Sequence, residues 1–175
     1  MISERIKNTV REVKDFPKPG IQFKDVSTIF LDQALCNDII DAFIKSLGAT
    51  KVDAIIGIES RGFILGMLLA NKLNVPFVIV RKVGKLPSHT FQFEYALEYG
   101  NATIEVHVDA IKPGWNVLIH DDLLATGGTA AAAAELVKMM DAKVAGFAFL
   151  IELTFLNGEE KIKGYSDNII KLAQY

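Results

Sequence analysis

The sequence predicts an α/β fold in which a mainly parallel sheet is flanked by helices. Three observations carry that prediction. Val52 to Ile58, Phe77 to Val80, Trp115 to Ile119 and Val144 to Ile151 are apolar at nearly every position, the pattern of strands buried on both faces. The stretches between several of them repeat their apolar residues with helical period, which gives the β-α-β rhythm of a parallel sheet. Finally, the run from Val117 to Thr129 passes from apolar residues through Asp121-Asp122 into small residues and then into Ala130 to Ala134, which reads as strand, acidic doublet, loop, helix.

In chain order, Ser3 to Val13 places Ile6, Val10 and Val13 on one helical face, with Ser3 as cap and Pro17 and Pro19-Gly20 as stop. Asp32 to Leu47 is a second amphipathic helix, with Leu35, Ile39, Ile40, Phe43, Ile44 and Leu47 as its apolar set and Gly48 as its end. A helix over Arg61 to Leu73 joins the first two buried strands. Phe91, Phe93, Tyr95, Leu97 and Tyr99 alternate with other residues, as do Ile104, Val106 and Val108, with Gly100-Asn101 between the two sets. This is the pattern of an antiparallel hairpin projecting from the core. A helix from about Gly128 to Met140 and the strand Val144 to Ile151 complete the rhythm.

The chain of 175 residues has the size of one domain, and half of its residues are hydrophobic. A formal net charge of −2 argues against a broad basic face for nucleic acid, and no apolar run is long enough to span a bilayer. The amino terminus carries no apolar signal-like stretch, so the cytosol is the expected compartment. Cys36, the single cysteine, excludes an internal disulfide and reads as a packed thiol within a helix.

Adjacent aspartates after a hydrophobic strand repel each other unless a ligand or cation answers them, and ionised carboxylates suit the two donors of a ribose cis-diol. Ala125, Thr126, Gly127, Gly128 and Thr129 then form a loop of phosphate size: the glycines admit close backbone approach, the threonines can donate, and the next helix points free N–H groups at an anion. A purely structural reading would make Thr126 an N-cap. Gly57 to Gly62 has the glycine spacing of an ATP loop, but Phe63 and Ile64 stand where lysine and hydroxyl belong, and no G-x-G-x-x-G opens a helix. Ser60-Arg61 begins a helix after a strand and offers backbone donors with a guanidinium to a second anion. Arg81, Lys82 and Lys85 form a basic cluster without acidic sequence neighbours.

With these residues in place, the chain resembles the type I phosphoribosyltransferases, through Val117 to Thr129. Asp15 to Asp25, Glu59 to Phe63, Arg81 to Pro87 and Leu97 to Gly100 narrow the likeness to the adenine-specific branch and extend it over nearly the whole chain. The resemblance implies one catalytic domain over residues 1–175, with a small N-terminal hood of about residues 1–30, a flexible hairpin loop, and a C-terminal segment completing the base site. It implies transfer of a 5-phosphoribosyl group from phosphoribosyl pyrophosphate to adenine, giving AMP and pyrophosphate, with Mg²⁺ held by substrate and water and by no direct protein ligand. Asp121 and Asp122 would take the ribose, Ala125 to Thr129 the 5-phosphate, and Ser60, Arg61, Arg81, Lys82 and Lys85 the pyrophosphate, some of these cations from the second subunit of a homodimer.

Glu98 would be the general acid/base, with Arg61 absorbing charge on the leaving group. Gln22 and Lys24 would read adenine through their backbones while Phe23 and Leu153 sandwich the ring. Lys24 stands where arginine is common, and His120 where an apolar residue usually precedes the doublet; a core or strand-end histidine is the expected role for the latter. The alternatives are a sister enzyme for a 6-oxopurine or orotate, and a ligand-sensing regulator of the same fold that binds nucleic acid. No helix-turn-helix is visible for the regulator, and neither nucleic acid nor membrane is an expected partner.

Overall fold

The computed structural model describes residues 1–97 and 100–175. Its centre is a seven-stranded sheet in the order β5-β6-β4-β3-β7-β8-β9. The strands are β3 (Ala54–Ile58), β4 (Phe77–Lys82), β5 (Thr90–Ala96), β6 (Asn101–His107), β7 (Asn116–Leu124), β8 (Lys143–Glu152) and β9 (Ile169–Gln174). The five strands from β4 to β9 in that order run parallel, while β6 is antiparallel to β4 and β5 to β6.

Helices α1 (Ile2–Thr9), α2 (Gln33–Leu47) and α3 (Gly62–Leu73) cover one face. There Ile6, Leu35, Ile39, Phe43, Leu65 and Leu69 pack against Ile55, Leu118 and Leu150. On the other face α4 (Gly128–Met139) brings Ala133, Leu136 and Val137 onto Ile56, Ile119, Phe147 and Phe149. Neighbouring residues of one strand therefore feed different cores, which is why the central strands are apolar throughout. Among the described residues no helix is long and apolar enough to cross a membrane.

The second helix matches its sequence reading: the Asp32 carboxylate caps the Leu35 N–H at 2.9 Å, and Gly48 closes the helix at φ 55°. Cys36 is a buried free thiol. Three readings are corrected. The first helix stops at Thr9, not Val13, and Ser3 lies inside it. Residues Arg11–Lys14 instead form β1, paired antiparallel with β2 (Gln22–Asp25), because ion pairs from Arg11 to Asp25 and from Lys24 to Glu12 join segments that helical periodicity alone cannot connect. The hairpin does not project from the core: β6 extends the central sheet through Arg81↔Glu105 and Lys82↔Ile104, and Ile104 and Val106 are buried. A period of two fixes a strand but not its partner. The acidic doublet lies within β7 and not beyond its end, since the ladder with β8 continues to Leu124↔Glu152.

His120 faces α2 and α3 and is fully buried, its ring edge-on to Phe43 at 5.5 Å. Neither ring nitrogen meets a partner in hydrogen-bond geometry. Burial pulls its pKa down to about 4, and the Ala148 backbone opposes only part of that shift. It is a core histidine held neutral. The fold thus keeps this contribution in full above the ordinary histidine pKa and loses it as pH falls from about 6.5 toward 4, by roughly 3 kcal/mol. In denaturant titrations across that range, His120→Leu should remove this acid-sensitive component; wild-type and variant profiles that stay parallel would contradict it.

Candidate active site

The loop between β7 and α4 is shaped from below. Gly127 adopts φ 75°, and a Cβ there would stand 2.4 Å from the Gly158 carbonyl oxygen. A Cβ on Gly158, the first residue of α5 (Gly158–Ile162), would stand 2.1 Å from the Ala125 carbonyl oxygen. The two backbones therefore touch, and only glycine fits at either place. Above this contact lies a cavity of about 70 Å³ lined by Asp121, Ala125, Thr126, Gly127, Gly128 and Thr129 among others. The first N–H groups of the twelve-residue α4 open beside it. Gly127 is the N-cap and no side chain caps the helix, so Thr126 has no capping role. The Thr129 hydroxyl lies 3.0 Å from the Tyr95 hydroxyl, which ties the hairpin to the loop.

Asp121 and Asp122 border a neighbouring cavity of about 400 Å³ shared with Glu59, Ser60, Arg61 and Leu123. Asp121 Oδ1 accepts the Asp122 N–H at 2.9 Å, and Gly62 at the start of α3 packs so closely that a Cβ would be 2.9 Å from that oxygen. Asp122 is buried, and Arg61 Nε approaches its Oδ2 at 2.7 Å. The approach is off-axis, so this oxygen receives a charge but no aligned donor. Burial, followed by the neighbouring Asp122 charge, raises the Asp121 pKa well above the usual carboxylate range. Asp121 thus favours its proton more than an exposed carboxyl would. An acceptor lacking a donor at the edge of a polar cavity is what a sugar hydroxyl can complete.

The predicted pyrophosphate cluster is tied down by Glu59. Its carboxylate accepts from Arg81 Nε at 3.2 Å, the Lys82 N–H at 3.0 Å and Lys85 Nζ at 2.5 Å. Burial would raise this carboxyl, but the Lys85, Lys82 and Arg81 contacts outweigh it and hold the pKa at about 2. Arg81 and Lys85 are therefore gathered beside Ser60 and Arg61 with their charges answered, whereas the Lys82 side chain is exposed. Glu105, buried in β6, fixes the following turn by accepting the Lys85 and Leu86 N–H groups, each at 2.9 Å, and the Thr90 hydroxyl at 3.1 Å. Sequence reading placed Glu59 in the Glu59 to Phe63 motif without giving it a role, and missed Glu105. Glu105 left one signal, a charge inside an alternating apolar strand.

A third cavity, of about 500 Å³, is lined by Gln22, Lys24, Leu153, Phe155 and Tyr175. Gln22 and Lys24 share one side of β2. Phe23 points the other way, toward Phe16 at 5.1 Å and the Arg61 guanidinium at 5.3 Å. The structure thus joins Gln22, Lys24 and Leu153 in one cavity and places Phe23 on the Arg61 side. Lys24 Nζ pairs with Glu12 and sits 4.1 Å from the Tyr175 ring centroid, so its charge is answered within the protein. Glu98 lies outside the described residues.

A strand carrying an acidic doublet, its second member buried, into a glycine-threonine loop, with Ser60-Arg61 alongside, matches a known family. Residues 26–171 fit the model of the phosphoribosyl transferase domain, and the chain belongs to that family. Within it the chain falls with the adenine phosphoribosyltransferases. That of Cytophaga hutchinsonii is 45% identical over 175 residues, covering 100% of this chain and 97% of the relative. The crystal structure of the Thermoanaerobacter pseudethanolicus enzyme is 47% identical, with a TM-score of 0.95 and 100% of both chains covered. The Saccharomyces cerevisiae enzyme complexed with D-2,5-dideoxy-2,5-imino-altritol 1,6-bisphosphate and adenine is 40% identical, with a TM-score of 0.91 and 98% of each chain covered.

Proposed function

We infer that this chain transfers the 5-phosphoribosyl group of phosphoribosyl pyrophosphate to N9 of adenine, releasing AMP and pyrophosphate. The observation that carries the reading is the Asp122 oxygen, buried without an aligned donor, in a cavity that adjoins the Ala125 to Thr129 loop through Asp121. The ribose diol bonds the doublet, and the 5-phosphate takes the N–H groups and hydroxyls of Ala125 to Thr129. Arg61 leaves Asp122 for the pyrophosphate as its bond to the ribose C1 breaks. The oxocarbenium-like sugar lies over the doublet charge, and N9 then forms the new C–N bond. Glu98 takes the part of acid/base at the purine N7. Its carboxylate removes the proton of the N7–H tautomer as N9 attacks and later releases that proton to solvent. Gln22, Lys24 and Leu153 supply the base cavity, and the whole chain acts as one catalytic domain.

The donor set suits a magnesium ion carried in on substrate oxygens. Glu59 is committed to three cationic or N–H partners, and among the described residues no group of three or more His, Cys, Asp or Glu converges to hold a metal. Asp122 Oδ2 is the acceptor able to take a metal-bound water there. When bound, Mg²⁺ supplies neutralising charge to the pyrophosphate. AMP formation from adenine and phosphoribosyl pyrophosphate, with and without Mg²⁺, tests the reading. Preference for hypoxanthine, guanine or orotate over adenine would replace it with a sister activity, and ligand binding without turnover would favour a regulator.

A homodimer is part of this proposal. Ile64, Met67 and Leu68 are 44%, 51% and 45% exposed and share one side of α3, the helix that begins beside Arg61. A second copy covering this apolar side would brace Arg61, and the exposed Lys82 remains able to reach across. Met67→Glu should yield monomers in sedimentation and lower kcat/KM at least about tenfold, since a buried unpaired charge opposes association. A fully active monomer would contradict the dimer.

A further inference from the structure

None of the residues lining the 70 Å³ loop cavity is cationic, although a 5-phosphate brings nearly two negative charges. The missing charge stands just outside it. From the position a Gly128 Cβ would occupy, Lys161 Nζ is 3.8 Å away, the Thr126 hydroxyl 3.8 Å and Tyr95 Cδ2 3.6 Å. The stem of Lys161 packs along the same loop, its Cβ lying 3.2 Å from where a Gly127 Cβ would stand. In the segment around it the acids are already paired: Glu159 meets Lys171 at 2.5 Å, and Glu160 pairs with Lys163. Lys161 has no hydrogen bond or ion pair with any described residue. An ammonium left unopposed 3.8 Å from the Gly128 Cβ position, next to a residue that lines an anion-sized cavity and on the element whose Gly158 shapes that loop, is placed to serve the anion.

We propose that Lys161 binds the 5-phosphate, supplying from α5 the side-chain cation that the loop itself lacks. The proposal rests on the phosphoribosyl reading of the loop. A point charge on a flexible stem suits a phosphate that must enter as substrate and leave as product. It also gives the Gly127–Gly158 contact a second consequence, because the tight backbone approach carries the ammonium to the cavity.

The test is calorimetric titration of wild type, Lys161→Met and Lys161→Arg with ribose 5-phosphate, AMP and adenine. Lys161→Met should weaken ribose 5-phosphate and AMP by a similar factor of about ten while leaving adenine within about twofold, and Lys161→Arg should restore most of the loss. Because Lys161 is exposed, the variants should melt like wild type. Unchanged ribose 5-phosphate affinity in Lys161→Met, or an equal loss for adenine, would overturn the proposal. A wild-type chain that binds neither AMP nor ribose 5-phosphate would overturn it together with the phosphoribosyl reading. AMP turnover by wild type alongside normal ribose 5-phosphate binding by Lys161→Met would remove this proposal alone.

Discussion

Glu98→Gln is expected to lower kcat by roughly 10²–10⁴, the usual range of acid–base assistance, with much less effect on adenine binding. The substitution keeps shape and hydrogen-bond reach and removes basicity. Tyr95, near the end of β5, touches the phosphate loop through Thr129 at 3.0 Å, and the Leu97 N–H donates to the Gly100 carbonyl at 2.8 Å. Strand β5 thus borders the Ala125 to Thr129 loop. Single-turnover rates across pH separate chemistry from product release. A chemical step within about threefold of wild type, far below the acid–base range, would reduce Glu98 to a loop-positioning residue and pass proton transfer to water.

Gly127→Val should weaken AMP binding by at least about a hundredfold, the loss of two charge-assisted phosphate contacts, and lower the melting temperature as well. Two costs add at this position. Valine at φ 75° occupies left-handed space that a branched residue resists, at roughly 1–2 kcal/mol. Its Cβ would also meet the Gly158 carbonyl oxygen at 2.4 Å and Lys161 Cβ at 3.2 Å. Backbone cannot yield as a side chain can, so the loop must lift away from α5. The damage enters from beneath the loop, not by filling the phosphate cavity. Wild-type AMP affinity in this variant would contradict the loop assignment.

The parts of the fold legible in the sequence are those whose signals are local. The apolar period and the Gly48 stop marked α2, and uninterrupted apolar runs marked β3, β7 and β8. Pairings between distant segments were not legible. Val13 fits a helical face as well as a strand, and only its partner Phe23 decides between them. The hairpin's alternation could not reveal that β6 would pair with β4.

The site divides in the same way. The doublet, the loop and Ser60-Arg61 are contiguous motifs, and the structure brings them to adjoining cavities. The Arg81 to Lys85 cluster looked unopposed because Glu59, more than twenty residues earlier, answers it only through the β3–β4 pairing. Tyr175 and Lys161 reach the site from the far end of the chain, beyond any short motif. His120 was readable as a core residue but not as one without hydrogen-bond partners, since that follows from what α2 and α3 place around it.

The most direct measurement is a crystal structure of the chain with AMP bound. The phosphate should rest on the N–H groups of the Ala125 to Thr129 loop, the ribose hydroxyls on Asp121 and Asp122, and the adenine edge on the Gln22 and Lys24 backbone. A phosphate bound away from that loop, or a ribose that leaves the doublet untouched, would contradict the account.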